Sequence, residues 1–245
     1  MQDATMATPG PLGRHRRLAA LVIHDLRSQW RYGIHAAYAV VLAFYLAIIL
    51  FAGHVLPPVL LAFIILSDPS VVGFFFLGGL MLLERSERTR TALAITPVSA
   101  GDYLAAKLIS LTLVALGAVI LMAHAAPLPV NWPLLTVAVA LASLHFTGIG
   151  AGLANSFKTV TGYFMGSAGI ILPMVLPGFL ALLDPMPAIC GIIPFAAMLR
   201  LLMLAFSAVE ATTGEMAWYL ASASAWAAIA VLWGLRRLQK EFGRK

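Results

Sequence analysis

Long apolar blocks alternate with short polar gaps between residues 33 and 235. About 20 apolar residues are what a helix needs to cross the hydrocarbon of a bilayer. The pattern predicts spans at about 33–53, 69–84, 108–126, 133–154, 159–181 and 217–235. Ahead of them, Leu18, Leu21, Val22, Leu26 and Trp30 recur at helical spacing, with Arg14, Arg17, His24, Arg27 and Arg31 on the other side. An apolar stripe opposite arginines predicts an interfacial helix over 14–31, lying in the headgroup plane. Residues 1–13 are polar, carry Pro9, Gly10 and Pro11, and read as a disordered start. The expected fold is all-α and polytopic, one transmembrane domain over 14–245 with six spans.

Two stretches resist a simple assignment. Residues 57–83 are too long for one straight crossing at about 1.5 Å per residue. Asp68-Pro69 interrupts them, and Asp at an N-cap with Pro at the first helical position is a helix start signal. Span 2 is therefore expected from about 69, with 57–66 a short re-entrant or interfacial piece outside; the alternative is one long, kinked span. Residues 188–207 are apolar enough to cross but contain Pro194 and Arg200. A seventh span would place the basic C-terminus outside. Outer re-entrant helices between spans 5 and 6 avoid that, with Arg200 snorkelling to water or pairing with Glu210 or Glu215.

Charge orients the chain. Arg14, Arg16, Arg17, Arg27 and Arg31 precede span 1; Arg85, Arg88, Arg90 and Lys107 lie in the second gap; Lys158 lies in the fourth; Arg236, Arg237, Lys240, Arg244 and Lys245 follow span 6. With six crossings, 15 of 16 basic residues fall on one face, Arg200 being the exception. Basic loops stay cytoplasmic, so both termini are expected inside a cytoplasmic (inner) membrane. A composition 61% hydrophobic and 11% charged leaves no room for a separate soluble domain. The net charge of +6 is spread as short flanks of spans. Orientation and anionic lipid account for it, and nucleic-acid binding is not expected. The single cysteine, Cys190, excludes an internal disulfide.

The stretch from Glu84 to Lys107 is the most specific. Glu84, Arg85, Glu87, Arg88 and Arg90 charge a helix expected to leave the membrane and run to Ile95, and Thr96-Pro97 ends it. Ser99 followed three residues later by Asp102 is a weak capping box opening the next helix, which Tyr103 and Lys107 anchor at the interface. Two helices meeting at such a corner suit a docking knob for a cytoplasmic partner.

This arrangement resembles the membrane subunits of ABC-2 type transporters. There a Glu opens the coupling region, Thr-Pro-x-Ser makes its corner and a Lys closes it; Glu84, Thr96, Pro97, Ser99, Tyr103 and Lys107 stand at matching positions. One departure is Ser86 and Glu87, where the family often has Gly. The Phe-rich span 2 behind Asp68-Pro69 looks most like the drug-export, fluoroquinolone-type branch. The resemblance implies a transport subunit rather than an enzyme, a separate P-loop ATPase carrying ATP and Mg, a second permease copy or paralogue, and a small hydrophobic substrate.

The chain itself offers no nucleotide site. Gly152-Leu-Ala-Asn-Ser-Phe157-Lys158-Thr159 has Phe157 where a P-loop needs Gly. Six histidines open a haem or redox alternative, in which His145 inside span 4 would matter most, but no pair has i, i+4 spacing. A non-transport membrane scaffold is a further alternative. Gly148/Gly152 and Gly162/Gly166 are GxxxG pairs expected to pack helices. Phe44, Phe74, Phe75, Phe76, His145, Phe146, Phe164 and Met165 are candidates for an apolar substrate pathway.

Overall fold

The computed structural model describes residues 14–87 and 98–242. Among these, six helices are long and apolar enough to cross a membrane. In chain order the elements are α1 (Arg14–Arg31), α2 (Ile34–Ala52), α3 (Pro58–Ser86), α4 (Ala100–Ala125), α5 (Trp132–Ala154), α6 (Val160–Val175), α7 (Pro194–Ala205) and α8 (Thr213–Phe242). A 3-10 turn, Leu176–Leu182, lengthens α6 beyond Pro173 and Pro177, and another covers Ala188–Ile192.

The second span departs from the expected boundary. The helix runs unbroken from Pro58 to Ser86, so Asp68-Pro69 lies inside it and starts nothing. Pro69 has no N–H for the carbonyl one turn back. The ladder beyond it widens to a π-helical stretch, Val71–Phe76, before returning to α geometry at Leu77. Burial explains why the chain does not break: Leu61, Ala62, Ile65 and Leu66 are fully enclosed. The piece expected as a separate outer segment is thus the first half of the long, kinked alternative.

Helix α5 is the hub. It packs against α3, α4, α7 and α8. Two apolar clusters fill the bundle. One, nearer the termini, joins Tyr38, Leu77, Met81, Leu104, Leu111, Ala154, Tyr163 and Leu238. The other joins Ile49, Leu61, Phe74, Met122, Ala138, Phe146 and most of α7. Helix α7 has 12 residues, so it rises only about 18 Å, well short of a crossing. That excludes the seventh span.

Arg200 sits on α7 and is buried, not snorkelled. Its Nη2 donates to the Leu183 carbonyl and lies 3.7 Å from Asp184 Oδ1. The carboxylate within ion-pair range is thus Asp184, in the loop after the 3-10 turn, rather than the expected Glu210 or Glu215, although the Arg200 charge still reaches Glu215. Glu215 instead accepts from the Thr212 backbone at 2.7 Å, at the start of α8.

Gly33, at φ 70°, turns α1 into α2. This left-handed conformation suits glycine, which lacks the Cβ that would clash. Trp30 beside it stays exposed. The face of α1 turned onto α4 carries Asp25 and Gln29 as well as apolar residues, and both polar side chains are buried.

Candidate functional site

The buried polar side chains of α1, α3 and α4 meet in one cluster. Lys107 Nζ donates to Asp25 Oδ1 at 2.6 Å and to Glu84 Oε1 at 2.8 Å. Tyr103 donates its hydroxyl to Glu84 Oε2 at 2.5 Å. Ser110 donates to the second Asp25 oxygen, and Gln29 Nε2 donates to the same oxygen at 2.8 Å. All three charged side chains are at most 5% exposed. Two carboxylates thus share one ammonium, with hydroxyl and amide donors supplying the balance. Lys107 and Tyr103 therefore point into the protein instead of anchoring at headgroups.

Burial works to raise the Asp25 pKa. The Lys107 charge, with hydrogen bonds from Lys107, Ser110 and Gln29, outweighs it and leaves the carboxyl below its ordinary value. A depressed folded-state pKa gives stability that is complete above the unfolded value of about 3.9 and fades as pH falls through the folded value. Asp25→Asn leaves Lys107 paired with Glu84, so its cost at neutral pH is expected to be about 1–3 kcal/mol. A thermal-stability profile in detergent should fall below pH about 4 in wild type. The variant should be lower at pH 7 and flatter on the acid side.

The cluster closes the base of the gap between α3 and α4. Glu84 stands near the end of α3 and Lys107 in the second turn of α4. Ser99 caps α4 by accepting from Asp102 N–H at 3.0 Å, the expected start signal. Glu87 accepts from Arg31 Nη2 at 2.5 Å and from the Tyr32 hydroxyl at 2.6 Å, so α1 is tied to the gap twice. Arg85 is exposed. Arg88, Arg90, Thr96 and Pro97 lie outside the described residues, as does most of the helix expected to reach Ile95.

The Fluoroquinolones export permease protein family model matches residues 16–242, nearly the whole chain. The chain belongs to this family. Two similar relatives are fluoroquinolones export permease proteins of Mycobacterium tuberculosis, from strains CDC 1551 / Oshkosh and ATCC 25618 / H37Rv. Each is 29% identical over 141 residues, covering 54% of this chain and 56% of the relative. The chain thus spans about half the length of the curated relatives it matches. No solved structure matches it.

The aromatic candidates separate. Phe74 and Phe146 are enclosed in the core. Phe75 stacks on Phe164 with centroids 5.6 Å apart, Phe76 meets the Tyr38 ring edge-on, and Phe44 and Met165 face outward. His145 is buried, its Nδ1 3.1 Å from the Trp226 carbonyl. It borders a cavity of about 390 Å³ between α5, α6 and α8, whose lining includes Met174, Trp226 and Trp233. No group of three or more His, Cys, Asp or Glu suited to a metal occurs among the described residues.

The glycine pairs separate too. A Cβ on Gly148 would lie 2.6 Å from the Ala230 backbone, and one on Gly152 2.0 Å from the Trp233 ring. That pair sits directly against α8. Gly162 and Gly166 instead meet Thr159 and Phe157 of their own approach loop. Asp25 and Gln29 were missed in the sequence. Their signal was available: polar residues four apart, flanked by Leu21, Val22 and Leu26 on the helix face expected to be apolar.

Proposed function

We propose that this chain is the membrane-spanning subunit of an exporter driven by a separate P-loop ATPase, moving a hydrophobic or amphipathic compound out across the cytoplasmic membrane. Family membership over residues 16–242 carries this reading. The ion cluster adds a physical route for coupling. Residues 85–99 lie between Glu84 and Lys107, which are paired with each other; Lys107 is bound to Asp25 of α1, and Glu87 is bound to Arg31 of α1. A push on the intervening loop would move α1, α3 and α4 together, biasing inward- against outward-open states. A second copy or a paralogue would complete the pathway, with outer re-entrant helices from 176–205 shaping its exit. ATP and Mg would reside on the ATPase; this chain would hold no cofactor.

The test is co-purification with a candidate ATPase, read beside drug accumulation in cells. Wild type should bring the ATPase down and lower drug accumulation. Reversing the exposed Glu87 to Lys together with Arg88→Glu should weaken both, since an interfacial charge mismatch costs about several kcal/mol. Unchanged capture and export after this double reversal would remove the coupling role of the loop.

Topology is a separate prediction. In a Cys190-free background, cysteines at positions 131 and 212 should react with an impermeant thiol reagent added outside intact cells. Cysteines at 88 and 242 should not. External labelling at 242 would contradict six crossings with both ends inside.

A further inference from the structure

Asp68 lies ten residues beyond Pro58 on a helix that ends at Ser86. At about 1.5 Å per residue it stands roughly 15 Å from the Pro58 end and roughly 27 Å from the Ser86 end, which places it deep within a hydrocarbon layer about 30 Å thick. It is fully buried. Tyr38 of α2 donates its hydroxyl to Oδ2, while Oδ1 has no hydrogen-bond partner. Among the described residues no Lys or Arg pairs with it. A carboxylate at such a depth must be neutralised by a proton or another cation, and such residues mark substrate or ion paths.

Three observations say what kind of cation fits. Aromatic rings border the position: Tyr38 touches Asp68, the Phe76 ring meets Tyr38 with centroids 6.1 Å apart, and Tyr45 bonds the adjacent Ser67 at 3.0 Å. The electron-rich faces of aromatic rings attract organic cations, which shed water more readily than a small hydrated ion does. The helix widens to π geometry from Val71, three residues on, a local irregularity that recurs at functional sites. And α2 is thinly held, since only Tyr38 and Ile49 on it are buried. A small outward movement of α2 would open the Tyr38–Asp68 contact sideways to lipid, where hydrophobic cations concentrate.

We propose that Asp68 is the binding position for a hydrophobic organic cation, entering between α2 and α3 from the bilayer and taking the place of a proton on the carboxyl. This rests on the exporter reading and narrows its substrate class. The charge balances: one cation arrives, one proton leaves to water.

The experiment uses the full chain in lipid nanodiscs, with ethidium as the cationic probe and Nile red as the neutral one. Wild type should bind ethidium, and Asp68→Asn should weaken that binding roughly tenfold or more while leaving Nile red binding unchanged. Asp68→Glu should recover part of the loss. Equal ethidium binding by wild type and Asp68→Asn, or none by wild type, would overturn the assignment. If Asp68→Asn does not fold, wild type decides alone. Dicyclohexylcarbodiimide should modify Asp68, and ethidium but not Nile red should slow that reaction; modification at the same rate with ethidium present would overturn the assignment. Because binding is read without an ATPase, failed export in cells would count against the exporter reading and leave this result standing.

Discussion

Glu84→Lys is expected to remove most of the folded protein from the membrane. The substitution sets a second ammonium where Glu84 now accepts from Lys107 at 2.8 Å, in a place at most 4% exposed. It also strips Tyr103 of its acceptor. Breaking one partner of a buried ion pair costs about 3–5 kcal/mol, against a total stability of about 5–15 kcal/mol for a typical domain. Glu84→Gln keeps an acceptor for Lys107 and should cost about 1–3 kcal/mol. The swap Glu84→Lys with Lys107→Glu should not rescue, because position 107 also faces Asp25 at 2.6 Å. Glu87→Lys breaks a largely exposed pair with Arg31 and should leave the yield close to wild type, since such pairs are worth about 0–1 kcal/mol. Fluorescence-detected size exclusion of tagged protein reads all four. A wild-type yield for Glu84→Lys would show that the cluster does not hold these helices.

Gly148→Leu is expected to be nearly as damaging, by a different route. Here α5 and α8 touch backbone to backbone: a Cβ on Gly148 would lie 2.6 Å from Ala230 C, and one on Gly234 2.5 Å from the Gly148 carbonyl oxygen. Neither contact ends in a flexible side chain that could swing away. Overpacking a tight core costs about 1–3 kcal/mol and sometimes more, and in lipid little else drives two helices together than close packing. Gly162→Leu meets only the Thr159 side chain and open surface, so the folded yield should stay near wild type. If Gly162→Leu lowers export without lowering yield, that face meets another subunit. Equal yields for the two variants would contradict the close-approach argument.

These contrasts mark what the chain reveals before it is folded. The spans were legible because length and hydropathy are local properties, and five of them start and end within a few residues of their expected limits, save for the extensions of α4 and α8 into polar sequence. Asp68-Pro69 misled because its local meaning is a helix start, while the burial of Leu61, Ile65 and Leu66 carries the helix through. The coupling stretch was legible by type but not by partner. Glu84 and Lys107 stood out, yet nothing local says that Asp25, some 80 residues from Lys107, completes their charge balance. Arg200 shows the same limit: its partners, Leu183 and Asp184, belong to a turn whose path only packing defines.

The exporter reading meets its most direct test in inverted membrane vesicles from cells co-expressing this chain with a candidate P-loop ATPase. Addition of ATP should drive ethidium or Nile red into the vesicle lumen, and the drive should vanish when the ATPase loses its P-loop lysine or when this chain is omitted. Dye accumulation that is the same without ATP, or the same without this chain, would contradict the account.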